Sequence, residues 1–198
     1  GVGPSAAGLV AGAVATLLAE RPRLRCRVVE GTARSLSGEL VAGRLDLMVA
    51  VRLTDQIDPL LAERPLGAVD YAVLAGQRHP LAAAPPEALA GLAQAEWLFG
   101  ADLGDVRDAV DASFRAAGLP PPRSRVETAS LGLLLALLDR GRHLTILPAP
   151  MAEAHIRAGR LARIHIPGAE WRRPLILATR RRGASHPAAQ DCIARIAG

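Results

Sequence analysis

Lysine is missing from this chain of 198 residues, so all 24 of its basic side chains are arginine. With alanine abundant, that bias reads as the codon usage of a GC-rich genome rather than as a functional choice. Aromatic residues make up only 3% of the sequence, which argues against a platform of stacked rings for nucleobases. There are two cysteines, Cys26 and Cys192, far apart in sequence. They make neither a disulfide framework nor a zinc site. Both sit in apolar patterns and are expected to be buried thiols, in a reducing, cytoplasmic setting. No apolar run approaches the ~20 residues of a membrane span, and no secretory signal layout is present.

What is present is a globular composition: 50% apolar and 22% charged residues. The length suits one large domain or two small lobes. The formal charge of +5 raises a nucleic-acid reading, but the arginines are scattered among 19 acids. The dense run Arg180, Arg181, Arg182 follows an apolar strand pattern and reads as a solvated strand end. The first residue is Gly, not Met, and implies a fragment or a processed product.

Along the chain, Ala6, Leu9, Val10, Ala13, Val14, Leu17 and Leu18 recur at helical spacing, with Ser5 as the N-cap candidate. Leu24, Cys26 and Val28 alternate with arginines as in a half-buried strand. A turn at Gly31 and Thr32 opens a second helix stopped by Gly43, and residues 45–51 form an apolar run that resembles a buried parallel strand. Further strands are expected at 69–76, in EWLFG (96–100), up to Glu127, at 144–147, in LARIHIP and in PLILATR. Helices are expected after Asp105, a capping candidate, from about Ser130, around 150–158, and from Pro187. Helices between apolar strands imply right-handed crossovers and an α/β fold.

One plan is written twice. Residues 28–50 (VVEGTARSLSGELVAGRLDLMVA) and 126–148 (VETASLGLLLALLDRGRHLTILP) each carry a Glu, a Gly/Thr/Ser turn, an apolar helix, Gly-Arg and an apolar strand. Each sends a strand into a helix N-terminus, where free N–H groups and the helix dipole attract anions. Ligands of open α/β sheets bind at the carboxyl ends of the strands. The repeat predicts two α/β lobes facing across a cleft.

Three other leads carry less. Residues 1–6 match G-x-G-x-x-A, with Glu30 where a ribose-binding acid would stand, but Pro4 removes a needed N–H donor, and a turn into a helix accounts for the glycines. Residues 3–7 resemble a nucleophile elbow with its last Gly replaced, without a local His or acid signature. The five histidines show no metal-ligand spacing and read as surface or capping imidazoles, except His143, in the turn before a strand near the expected cleft.

The ordered set EGTARSLSGELVAGRLDLMVAV, PLGAVDYAVLAGQRHPLA, RVETASLGLLLALLDRGRHLTILP, GRLARIHIP and RPLILATRRRGASHPAAQDCIARI resembles the effector-binding domain of LysR-type transcriptional regulators over nearly the whole chain. The resemblance implies a two-lobed α/β fold like the type 2 periplasmic binding proteins, each lobe a mainly parallel sheet flanked by helices. Lobe one would be residues 1–67 with 171–198, and lobe two residues 68–170. It implies a non-enzymatic sensor without a cofactor that binds a small-molecule effector through Pro4, Ser5, Gly31 and Thr32 on one wall. On the other wall it implies Gly104, Asp105, Thr128, Ala129 and Ser130. His143 replaces the second Gly of the family's Gly-x-Gly turn and is expected to add a polar contact. A homodimer or tetramer is implied, with residues 24–29 and 33–42 as a plausible edge surface and with no membrane partner. DNA would be bound only through a winged helix-turn-helix absent from these 198 residues.

Helix N-termini favour an anionic effector, although Asp102 and Asp105 oppose that lean unless Asp105 serves as a cap. Two rival readings are a free-standing solute-binding protein of a transporter and, resting on the glycine-rich start alone, a dinucleotide enzyme.

Overall fold

The computed structural model describes residues 1–52, 58–100, 103, 105–182 and 186–197. The chain forms two compact units, Gly1–Val69 with Arg173–Gly198, and Asp70–Arg172. The chain passes between them inside two long strands, β2 (Leu61–Gly76) and β7 (Trp171–Arg180).

In the first unit a 3-10 turn, Pro4–Ala6, leads directly into α1 (Ala7–Glu20). Then come α2 (Ala33–Val41) and β1 (Leu47–Val51), and α7 (Pro187–Ala197) closes the chain. The strand order is β1-β7-β2. Successive β1 side chains point to opposite faces. Val49 joins Val2, Val10, Leu17, Leu177, Cys192 and Ile196 on the α1 and α7 side. Met48 and Ala50 join Leu36, Leu40, Ile176 and Ala178 on the α2 side. Burial on both faces is why the run is apolar without alternation. Burying each large aliphatic side chain in these layers contributes about 1.5–3 kcal/mol.

The second unit contains α3 (Pro80–Ala83), β3 (Glu96–Gly100), α4 (Asp105–Ala116), β4 (Ser124–Thr128), α5 (Leu131–Arg140), β5 (His143–Pro148), α6 (Ala149–Arg157) and β6 (Leu161–Ile164). Its strand order is β2-β5-β3-β4, with β6 on the other side of β2. β3 is parallel to β4 and β5, whereas β2 is antiparallel to β5 and β6. All five aromatic residues of the chain fall in this unit. Trp97 stacks on Phe99 with centroids 5.5 Å apart and meets Phe114 edge-on at 6.2 Å.

The architecture is α/β with a mixed sheet. Parallel pairing occurs where helices intervene, and the antiparallel pairs come from the long strands β2 and β7 and from β6. Four local expectations are corrected. β1 is not a parallel neighbour of another long strand; it pairs antiparallel with β7 from Leu47↔Thr179 to Val51↔Leu175, and its parallel contact is the single bridge to Val2. Residues 24–29 do not form a strand. Their pairing is confined to the end of the segment, where Val2 N–H donates to Val29 O and Gly31 N–H donates to Val2 O. Cys26 is consequently exposed, while Cys192 is buried as expected, and burial raises its thiol pKa. Ser5 is not an N-cap: Pro4 starts the helical path one residue earlier, which places Ser5 inside the 3-10 turn, and neither that turn nor α1 has a side-chain cap.

Candidate functional site

In the first unit, Val2 lies between Glu30 and Val49, parallel to both. The carboxyl ends of these three extended stretches therefore lie together, and they carry the Gly3-Pro4-Ser5 turn, the Gly31-Thr32 turn and Arg52. Gly3 N–H donates to Val49 O at 2.7 Å. A Cβ at Gly3 would stand 3.1 Å from the Ala50 Cα, so glycine lets the two backbones approach this closely. Thr32 caps α2: its Oγ1 accepts from Ser35 N–H at 3.2 Å, and Ser35 Oγ donates back to Thr32 O at 3.0 Å. Ser5, Gly31 and Thr32 are half-buried and Pro4 is exposed.

The second unit repeats the device. β4 ends at Thr128, whose Oγ1 accepts from Ser130 N–H at 3.0 Å. Ser130 then caps α5, its Oγ accepting from Leu133 N–H at 3.2 Å. Ala129 and Ser130 are exposed and Thr128 is half-buried. At Thr32, Thr128 and Ser130 the hydroxyl oxygen is used to hold the turn; the Thr32 hydroxyl also donates to Ser35 Oγ at a long 3.4 Å, which a ligand would displace, while Thr128 and Ser130 keep their protons as donors. That is the chemistry an anion or a polar oxygen of a ligand would use.

The structure does not bring His143 to this end. β3, β4 and β5 run parallel, and His143 is the first residue of β5, level with Glu96 at the start of β3. Thr128 lies level with Gly100 at the other end of β3. Four residues of strand separate the two ends, about 13 Å. His143 Nε2 is 3.3 Å from Glu96 Oε2, and a side chain on Gly141 would collide with the His143 ring. The His143 ring thus packs over Gly141 and faces Glu96, at the other end of the parallel strands from the Thr128–Ser130 turn. Among the remaining expected positions, Gly104 lies outside the described residues, and Asp105 is the first residue of α4.

Arg52, not among the expected positions, stands just beyond β1. Its N–H donates to Pro174 O at 2.9 Å, and its Nη1 is 3.3 Å from Glu63 Oε2 on β2. The sequence signal was there: Arg52 is the first charge to break the apolar run after Asp46. Among the described residues no cluster of His, Cys, Asp and Glu is arranged to hold a metal ion. Arg107 lies over the Phe99 ring at 4.1 Å, so that ring and its Trp97 and Phe114 neighbours are already used in packing.

Comparisons with known proteins bear on the fold and the family. The chain is 32% identical over 153 residues to the HTH-type transcriptional regulator GalR of Pseudomonas putida, covering 77% of this chain and 38% of that protein. The effector-binding domain of QuiR in complex with shikimate superposes with a TM-score of 0.80 at 18% identity, over 99% of this chain and 93% of that one. The BenM effector-binding domain with its effector benzoate gives 0.73 at 20% identity, over 98% and 88%. At those identities the structural likeness establishes the fold. The fold defines a domain of the α/β class. The chain belongs to the LysR substrate binding domain family, whose profile matches residues 1–198. It spans between 38% and 49% of the length of the curated relatives it matches. Those relatives are HTH-type transcriptional regulators. No described helix is long and apolar enough to cross a membrane.

Proposed function

We propose that this domain senses a small anionic metabolite and that its occupancy controls DNA binding by a winged helix-turn-helix of the intact, cytoplasmic regulator. The observation that carries the reading is the repeated hydroxyl turn. Thr32 in the first unit and Thr128 with Ser130 in the second use their oxygens to fix helix N-termini; Thr128 and Ser130 keep O–H donors available, and the Thr32 O–H is held only by a long 3.4 Å bond to Ser35 Oγ. Ser5 and the backbone around Pro4 and Gly31 add to the first set. Helix N-termini contribute free N–H groups and positive potential, which suit a carboxylate. Shikimate and benzoate, named with the QuiR and BenM domains, are both carboxylates.

The proposal includes self-association as a homodimer or a tetramer, which light scattering reads directly; a monomer at high micromolar concentration contradicts it. The effector class is tested by a thermal-shift screen of small carboxylates, organophosphates and neutral sugars. A true effector at a hundred times its Kd adds about 2.7 kcal/mol of apparent stability. The proposal expects a saturable shift from an anion; stabilisation by neutral compounds alone contradicts it.

A further inference from the structure

Among the buried polar groups of the first unit, Arg52 is served least well. Its side chain is 26% exposed, and its Nε lies buried without a hydrogen-bond partner. Its contact with Glu63 is 3.3 Å long, whereas charge-assisted N–H···O bonds settle at about 2.7–2.9 Å. A guanidinium has five N–H donors, and a buried donor left unused is costly. Glu63 is more enclosed than its partner, at 12% exposure. It keeps the arginine neutralised without saturating it.

Position gives this shortfall a use. Arg52 follows the carboxyl end of β1, and β1 packs against the Pro4–Ala6 turn. Arg52 therefore stands at the end of the first unit that carries Ser5 and Thr32. From Arg52, its Glu63 counter-charge and their place in the fold, we infer that Arg52 is the charged anchor for the effector's anionic group, and that Glu63 competes with the ligand for it. The inference rests on the effector-sensing reading and deepens it. The hydroxyl turns supply neutral donors, and Arg52 supplies a full positive charge that selects an anion over a neutral sugar. Because Glu63 already occupies one edge of the guanidinium, the ligand gains only the difference between its own bond and the long one it displaces. Affinity is thereby held down, so the sensor can release its effector.

The pair gives opposite signs on substitution, which separates anchoring from a structural role. The Arg Nε–H resonance of Arg52 is followed by NMR while benzoate, shikimate or inorganic phosphate is added to about 50 mM, enough to detect millimolar binding. The expected result is a saturable shift of that resonance with a carboxylate or with phosphate. Glu63→Gln should tighten the same titration at least about threefold, and Arg52→Gln should weaken it at least about tenfold. Glu63→Gln keeps the test decisive if Arg52→Gln fails to fold. A silent Arg52 resonance, or weaker binding in Glu63→Gln, overturns the inference. If the backbone amides near Thr32 or Ser130 respond to an anion while Arg52 does not, the anchor fails and the sensing reading stands. If no resonance responds to any of the three probes, both are overturned.

Discussion

His79 shows how one residue can serve structure and still leave a readable signature. It is buried, its Nδ1 accepts from Leu81 N–H at 3.1 Å, and its Nε2 lies 3.1 Å from Arg142 O. The neutral ring with its proton on Nε2 satisfies both, and it both caps α3 and ties the chain after β2 to the turn before β5. Burial first, and then the charges of Arg142 and His143, lower the His79 pKa below its usual value, outweighing the bond to the Arg142 carbonyl, which raises it. In the unfolded chain this imidazole takes up a proton near pH 6.5, while in the folded chain it does so only at lower pH. The stability it contributes is therefore full above about pH 6.5 and is lost as pH falls through the lowered folded value. The melting-temperature advantage of the wild type over His79→Ala should be largest near pH 7.5 and shrink toward pH 5. An advantage that grows on acidification contradicts the neutral assignment. At this scale the sequence was partly legible. Thr32 and Ser130 announced themselves as hydroxyls at the start of apolar helices. Ser5 did so equally and was misread, because Pro4 begins the helical turn before it. His143 was misplaced because the end of a parallel strand on which a residue falls depends on strand pairing, which local spacing does not reveal.

Residues 24–29 show the same dependence for a whole element. Their alternation fits a strand, yet a strand exists only when a neighbour shares its hydrogen bonds. Val2 meets the end of the segment at Val29 and Gly31, and no other described strand pairs with it. Val28 is 53% exposed as a result. Backbone amides at 24–28 should exchange with solvent far faster than those of β1, which is laddered to β7 along its whole length. Equal protection of the two would show that the segment is paired in solution. The helices were read well because 3.6-residue periodicity is a property of one segment. Stop signals were equally local: Gly43 and Gly118 end α2 and α4 with φ of 75° and 71°. The first half of β2 was missed because Glu63, Arg64, Pro65 and Gly67 carry no apolar alternation. Its place comes from its sheet neighbours instead.

For the molecule as a whole, the repeated plan was the informative feature, since it marked two helix N-termini that follow extended segments in two units. Pairing direction, the antiparallel long strands and the Arg52–Glu63 contact arise between segments distant in sequence and were not legible locally. The central claim is that the hydroxyl turns bind the effector. It is tested most directly by calorimetry of an effector from the screen on the wild type, Thr32→Ala and Ser130→Ala. Each substitution also removes a helix cap, at ~0.5–2 kcal/mol of stability, so folding is checked first at the temperature of the titration. The account predicts that each folded variant loses ~0.5–1.5 kcal/mol of binding, and more if the hydroxyl meets a charged atom. Affinity unchanged within about twofold in both variants, a difference of about 0.4 kcal/mol, would contradict it.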